Sequence, residues 1–277
     1  MAGGANKKFL DERERFLRAN LIEVQVNDQE LTKVAADHVD ATKAVRAQIG
    51  RQPNQGQAVG VDVATKAAGI YDFDLEKLPT KAEVQFGART TRVPMYALKA
   101  WGSKKRDQQL QVTGDKFAVK YKKPKHAHTL SAYWLPWSEN SSWSVQLGAD
   151  ADFFFTATMD GCSLAISSGA TPIVTHANYK SPDNPGVASE ELTRERIDQQ
   201  HAALGVDVSR TLMKGQYAAR AVLKERGINK MVTVVGFRNT ATGVWSFYWQ
   251  RRKVIYGDAK AGTHTRILLT DRLVPIV

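Results

Sequence analysis

Apolar and polar residues alternate along many segments after residue 90, which is the pattern of strands that bury one face. Trp245, Phe247 and Trp249, for example, are separated by single residues. Large aromatic side chains on one strand face are typical of a β-sandwich core, and we expect that role here rather than stacking on nucleic acid. The same pattern predicts strands at 109–112, 116–121, 143–147, 152–159, 162–167, 173–179, 231–237, 244–251 and 266–269.

Spacings of three and four residues predict helices in the first part of the chain. One covers residues 7–20, and a second runs from a capping box at 27–30 to Gly50. Residues 51–60 have the composition of a linker. The segment 69–92 is ambiguous, although Ala82, Val84 and Phe86 alternate as in a strand.

Two more helices are predicted between the later strands. Ser189 is a good N-cap for a helix that Gly205 ends, and Asp207 is expected to begin another that ends at Gly227. Strands in runs that flank helices indicate an α+β fold. We expect a mainly antiparallel β-sandwich or mixed sheets with flanking helices, preceded by a helical N-terminal segment. The predicted division is a helical region at 1–90 and a β-rich catalytic domain at 91–277.

Composition narrows the possible classes of function. No apolar run is long enough to span a bilayer, and the first residues, which include Lys7 and Lys8, contain no secretory signal peptide. We therefore expect a protein that is cytoplasmic in its producer, or that leaves by a route independent of a signal peptide. No phosphate-binding loop or dinucleotide fingerprint is present, so no cofactor is expected. His126 and His128 follow several lysines, whose charge argues against a metal site.

The formal net charge is +11, and the excess is concentrated at 104–106, 116–125 and 251–253. Such basic segments attract nucleic acid, anionic lipid or acidic proteins, or simply keep a protein soluble. A non-enzymatic basic β-rich module that binds nucleic acid or an acidic protein is therefore one hypothesis. Nucleic acid is the less expected partner, because no nucleic-acid-binding motif accompanies the charge.

The most specific chemical feature is the single cysteine, Cys162, which follows Gly161 and precedes His176 by a strand, a turn and a strand. A turn centred on Gly169 would place Cys162 directly opposite His176, and Leu164 opposite Val174. Directly opposed β-carbons lie about 4.5–5.5 Å apart, close enough for a thiolate–imidazolium pair. A cysteine and a histidine in this relation form the minimal nucleophile and base of a cysteine enzyme.

The surrounding residues suggest further roles. Gly161 allows a carbonyl group to approach the backbone closely, and the N–H groups of Gly161 and Cys162 could hold an oxyanion. A third group should orient the imidazole. Asn178, Thr156, Asp160 and a main-chain carbonyl are all candidates, and the sequence does not select among them.

At this hairpin the sequence resembles the cytotoxic necrotising factor family of bacterial glutamine deamidase toxins, and it is similar to smaller lethal factors with the same catalytic fold. Members carry a short motif that ends in Gly-Cys on one strand, with the catalytic histidine about a dozen residues later. The matching residues here are Gly161, Cys162 and His176. Asp160 and Met159 stand where the family usually has serine and leucine.

The resemblance implies a fold and an activity. The fold would be a β-sandwich with surrounding helices, Cys162 would be the nucleophile, His176 its base, and the third element often a main-chain carbonyl. The activity would be cysteine-dependent deamidation of glutamine in a host protein, such as a small GTPase or a translation factor. A transglutaminase or protease would use the same pair of residues. The protein would then be a toxin or virulence effector delivered into a target cell, with residues 1–90 serving secretion, chaperone docking or target binding.

Overall fold

The computed structural model describes residues 3–24, 69–86, 88–100, 108–113, 116–121, 130–137, 139–184, 187–217, 228–257 and 265–277. Within these residues the fold is α+β, with four helices and fourteen strands. The helices are α1 (Gly3–Asp11), α2 (Arg13–Ala19), α3 (Glu190–Ala203) and α4 (Lys214–Tyr217). None of the described helices is long and apolar enough to cross a membrane.

The strands form three sheets. They are β1 (Leu21–Val24), β2 (Gly69–Phe86), β3 (Arg89–Ala100), β4 (Gln108–Thr113), β5 (Lys116–Tyr121), β6 (Leu130–Leu135), β7 (Ser141–Gln146), β8 (Phe153–Thr156), β9 (Ser163–Ser167), β10 (Ile173–Asn178), β11 (Val208–Leu212), β12 (Ile228–Arg238), β13 (Trp245–Ile255) and β14 (Arg266–Pro275). The large sheet has the order β1-β3-β2-β14-β13-β12-β8-β6, the smaller one β11-β9-β10-β7, and β4 pairs with β5. Because β6 also pairs with β2, the large sheet closes on itself.

The main core lies between the large and the smaller sheet. Phe154, Trp245 and Phe247 from the large sheet pack in one buried cluster with Leu164 and Val174 from the smaller sheet. The predicted alternation at 245–249 is confirmed, since Trp245, Phe247 and Trp249 are all buried in this cluster. The outer face of the smaller sheet is covered by α3, through Ile197 against alanines of β9 and β10.

The N-terminal helices pack on the other face of the large sheet, where Phe9 of α1 and Phe16 of α2 join a second buried cluster. Two buried amides hold them there. The Asn6 side chain accepts a hydrogen bond from the Leu75 main chain, and the fully buried Gln250 side chain donates to the main-chain carbonyls of Leu17 and Asn20. Residues 3–24 are therefore an integral part of the large sheet's packing.

Several sequence predictions change in detail. Residues 69–86 form a strand, not part of a helical region, and the predicted boundary at residue 90 falls just inside β3, next to the turn of the β2–β3 hairpin. The helix that begins after Ser189 is confirmed, and the Ser189 hydroxyl accepts a hydrogen bond from the Leu192 N–H. The helix predicted at 207–227 is wrong at its start, because Val208–Leu212 pairs with β9 as a strand. Its continuation at 218–227, and the helix predicted at 27–50, lie outside the described residues.

Candidate functional site

The predicted hairpin exists, but its register differs from the prediction. β10 pairs His176 with Leu164 and Val174 with Ile166, and Cys162 lies one residue before β9 begins. The connection covers residues 168–172, so its midpoint is one residue later than Gly169. The Ser167 hydroxyl accepts a hydrogen bond from the Ile173 N–H at 2.8 Å and closes this longer turn. Cys162 is therefore not directly opposite His176.

The two side chains nevertheless share one face of the smaller sheet. The register is shifted by an even number of residues, which preserves the face while separating the partners along the strands. His176 lies opposite Trp143 of β7 on the side that faces the main core. Cys162 belongs to the same core cluster. A diagonal relation of this kind places β-carbons about 7–8 Å apart, within reach of an imidazole but not in the close contact predicted.

Cys162 is fully buried, and burial is the main reason why the pKa of its thiol rises to about 12. The negative charge of Asp160 also raises this pKa. The nearby main-chain N–H groups of Asp160 and Gly161, and the Trp137 indole, lower this pKa by smaller amounts. His176 is not among the groups that shift the thiol's pKa.

His176 is buried as well, with 2% of its surface exposed. Burial lowers the pKa of its imidazole to about 4, while the nearby main-chain carbonyl of Pro136 raises it by a smaller amount. Neither ring nitrogen completes a hydrogen bond of ordinary geometry with a described residue, so the Pro136 carbonyl acts as a nearby dipole. A buried histidine whose two nitrogens both lack a partner is rare, because buried polar atoms are normally satisfied.

Both groups are therefore neutral at pH 7 in this arrangement, a thiol beside an uncharged imidazole. The expected thiolate–imidazolium pair is not the resting state. Burial disfavours the charged form of each group, so transfer of the thiol proton to the imidazole is strongly unfavourable at rest. Activation therefore requires a change in the surroundings of the pair.

The four candidates for a third group that orients the imidazole have different surroundings. The Pro136 carbonyl lies beside His176. Asn178 follows His176 on the same strand face, and its buried side-chain oxygen has no hydrogen-bond partner among the described residues. Thr156 is fully buried opposite Leu135, and its hydroxyl also lacks a partner in the described part of the chain. Asp160 is exposed and acts on the thiol rather than on the imidazole.

Gly161 connects this buried pair to the surface, because it is half-exposed while Cys162 is buried. The ammonium group of Lys214 lies 3.9 Å from the position that a β-carbon on Gly161 would occupy. The Tyr217 hydroxyl donates a hydrogen bond to the main-chain carbonyl of Cys162 at 2.7 Å and fixes the cysteine's backbone. Sequence reasoning missed Lys214 and Tyr217, since they lie more than fifty residues from the motif and no local pattern links them to it.

The other histidines and the basic segments either have structural contacts or lie outside the described residues. His201 hydrogen-bonds to Thr175 on the opposite face of the sheet, at 2.8 Å, and is a structural residue. Arg252, in the centre of one basic segment, is buried and donates to the hydroxyls of Thr233 and Thr158. His126 and His128, and the basic residues 104–106 and 122–125, lie outside the described residues. The described residues contain no group of three histidine, cysteine, aspartate or glutamate side chains able to hold a metal.

No protein-family model matches the chain, and no curated protein matches it significantly. A functional proposal therefore depends on the chain's own residues and their arrangement.

Proposed function

We propose that this protein is a cysteine-dependent amidohydrolase that converts glutamine side chains of a protein substrate to glutamate. The observation that carries the proposal is His176: a buried imidazole that completes no hydrogen bond of ordinary geometry with a described residue, on the same sheet face as the chain's single cysteine, with the Pro136 carbonyl beside it. A purely structural buried histidine normally uses at least one ring nitrogen, as His201 does through Nε2 and the Thr175 hydroxyl.

The proposed reaction follows the general course of nucleophilic catalysis. His176 takes the proton of the Cys162 thiol as the sulfur attacks the carboxamide carbon, and a tetrahedral intermediate forms. The C–N bond breaks, His176 returns the proton to the departing ammonia, and a thioester remains. Water, deprotonated by His176, attacks the thioester, and collapse of the second intermediate releases glutamate and regenerates the thiol. The reaction consumes one water and releases one ammonia, and it needs no oxidant, reductant or cofactor.

The neutral resting pair fits a site that is activated by its substrate. The neutral imidazole is the form that accepts a proton, which a general base requires. A bound carboxamide would bring polar groups to a site where His176 and Asn178 have buried atoms without partners among the described residues. The N–H of Gly161, which already points to the sulfur, and the ammonium of Lys214 would stabilise the developing oxyanion. These interactions lower the cost of charge separation.

A peptide probe tests this proposal. We would incubate the protein with short random peptides in which a glutamine carboxamide is replaced by a chloromethyl ketone, and measure the rate at which Cys162 is alkylated by intact-mass spectrometry. Replacing His176 by alanine should slow this labelling by about a hundredfold or more, because general-base assistance contributes that much. A matched control is His201→Ala, which removes another buried histidine on the opposite face of the same sheet.

The two variants separate catalysis from folding. Equal labelling of wild type and His176→Ala, with both folded by circular dichroism, would contradict the role of the imidazole. Labelling that falls equally in His176→Ala and His201→Ala would indicate a structural effect and would also count against the proposal.

The alternative of a basic binding module receives less support. Arg252 of the basic segment 251–253 points into the protein, where its guanidinium donates hydrogen bonds to the hydroxyls of Thr233 and Thr158. A side chain held in this way is not available to a nucleic-acid phosphate or an acidic partner. The enzyme proposal has the advantage that one described cluster of residues supports it.

A further inference from the structure

A cleft of about 340 Å³ lies along the outer edge of the smaller sheet. Its walls are α3 and β11, and its lining includes Arg194, Asp198, Ser209, Arg210 and Thr211. β11 is the last strand in the order of this sheet, and no described strand pairs with its outer side. An unpaired edge presents main-chain N–H and C=O groups that can bind another extended segment.

The cleft is lined by two arginines without carboxylate partners among the described residues. They stand on opposite sides of β11, because Arg210 pairs with Ile166 on the core face, whereas Arg194 belongs to α3 on the outer face. Arg210 is partly buried above the ring of Phe247, 5.1 Å from its centroid, and burial lowers the pKa of its guanidinium. Arg194 stands on α3, one turn before Asp198, yet the two form no ion pair. A partly desolvated arginine that lacks a carboxylate is suited to bind an anionic group from outside.

The same strand leads to the proposed active site. β11 pairs Leu212 with Leu164, and the chain continues through Met213, which also lines the cleft, to Lys214 beside Gly161. Arg210 and Lys214 are four positions apart and β11 ends at Leu212, so at most about 13 Å separates them along the chain. A segment bound against β11 would therefore run from the arginines towards the half-exposed Gly161 and the cysteine that follows it.

We propose that the outer edge of β11 binds an extended, acidic segment of the substrate protein, with one carboxylate at Arg210 on the core side of the strand, a second at Arg194 on the side of α3, and the reactive glutamine about four residues away at Gly161. The reactive-glutamine part of this inference rests on the proposed function. The peptide-binding part does not, because it depends only on the open strand edge and the unpaired arginines. Charge complementarity favours an acidic peptide, and the strand edge favours an extended peptide over a small anion.

The binding test uses the full chain with Cys162→Ser, so that binding is measured without reaction. The probe is a fluorescein-labelled ten-residue peptide in which pairs of glutamates alternate with pairs of threonines, so that carboxylates lie on both faces of the extended chain. Its binding is followed by fluorescence polarisation. We expect it to bind more tightly than its threonine–lysine counterpart. Arg210→Gln and Arg194→Gln should each weaken binding about tenfold, the value of one hydrogen bond to a charged group. Arg196→Gln removes the same charge from α3 outside the cleft and should have no effect.

Two further probes identify the mode of binding. A threonine–glutamate peptide methylated on alternate main-chain nitrogens should bind poorly, because it cannot pair with a strand edge. Equal binding of the methylated peptide, or equal binding of the acidic and basic peptides, would overturn the inference. If free glutamate competed as strongly as the peptide at an equal concentration of side-chain carboxylate, the cleft would be a small-anion site, and this result would also overturn the inference.

Activity separates this inference from the proposed function. With wild-type protein, a threonine–glutamate peptide that carries one glutamine four residues from a glutamate should release ammonia, and Arg210→Gln should raise KM with little change in kcat. Binding without ammonia release would support the docking surface and contradict the enzyme. Ammonia release that is unaffected by Arg210→Gln and Arg194→Gln would support the enzyme and contradict the docking surface.

Discussion

The clearest consequence of the buried site concerns the reactivity of Cys162 towards a small reagent. Because the chain has a single cysteine, every alkylated molecule reports on Cys162. At pH 8 a thiol of pKa about 12 is ionised in roughly one molecule in ten thousand, whereas a free thiol of pKa about 8.5 is ionised in about a quarter. Iodoacetamide should therefore react about a thousandfold more slowly with the folded protein than with the unfolded chain.

Transient unfolding sets a lower bound to this rate. A protein stable by about 5 kcal/mol is unfolded in roughly one molecule in five thousand, so labelling through the unfolded state is of similar size. The assay is intact-mass spectrometry after timed exposure to iodoacetamide, with and without guanidinium. Replacing His176 by glutamine should not lower the rate, because a neutral imidazole does not create a thiolate at rest.

Rapid labelling would refute this reasoning. If folded protein reacted at pH 6–8 as fast as a free thiol, and if His176→Gln abolished that reactivity, then Cys162 would form an ion pair with His176 at rest. The burial of the thiol and its raised pKa would then be wrong.

Two further predictions concern stability. Folding lowers the pKa of His176 from 6.5 to about 4, so the buried neutral imidazole contributes about 3 kcal/mol of stability above pH 6.5, and this contribution is lost as the pH falls to 4. Guanidinium unfolding at pH 7 and pH 4 should therefore show a smaller loss of stability in His176→Phe than in the wild type. Equal losses would contradict the assignment. Gln250→Leu removes the partners of three buried main-chain groups, those of Leu17, Asn20 and Ile22, and should lower the free energy of unfolding by about 3 kcal/mol or more. The control Gln199→Leu, on the exposed side of α3, should have little effect. Similar unfolding midpoints for the two variants would contradict the role of Gln250.

Local patterns predicted the strands well because a strand's buried face repeats every second residue. Trp245, Phe247 and Trp249 illustrate this, since their alternation alone indicated their burial. The error at 207–227 has a tertiary cause. Val208–Leu212 contains residues that could belong to a helix or to a strand, and pairing with β9 decides in favour of the strand.

The candidate site was predictable only in part, for the same physical reason. Cys162 and His176 were identified because the motif is local, and their common sheet face followed from the even spacing. Their register depended on the hydrogen bond between the Ser167 side chain and the Ile173 main chain, which the turn residues do not specify. The Pro136 carbonyl and Lys214 reach the site through long-range packing, so no pattern near Cys162 indicates them.

The most direct test of the account is a comparison of glutamine sites in a eukaryotic cell extract treated with wild type or with Cys162→Ser in water enriched in heavy oxygen. Each hydrolysed thioester places one solvent oxygen in a new glutamate, which mass spectrometry of the digested proteins detects. We predict a small set of glutamines that become heavy glutamate with the wild type alone, next to acidic extended segments, and that are spared by His176→Ala. Identical amide patterns after treatment with wild type and with Cys162→Ser would contradict the claim that this cysteine hydrolyses glutamine side chains.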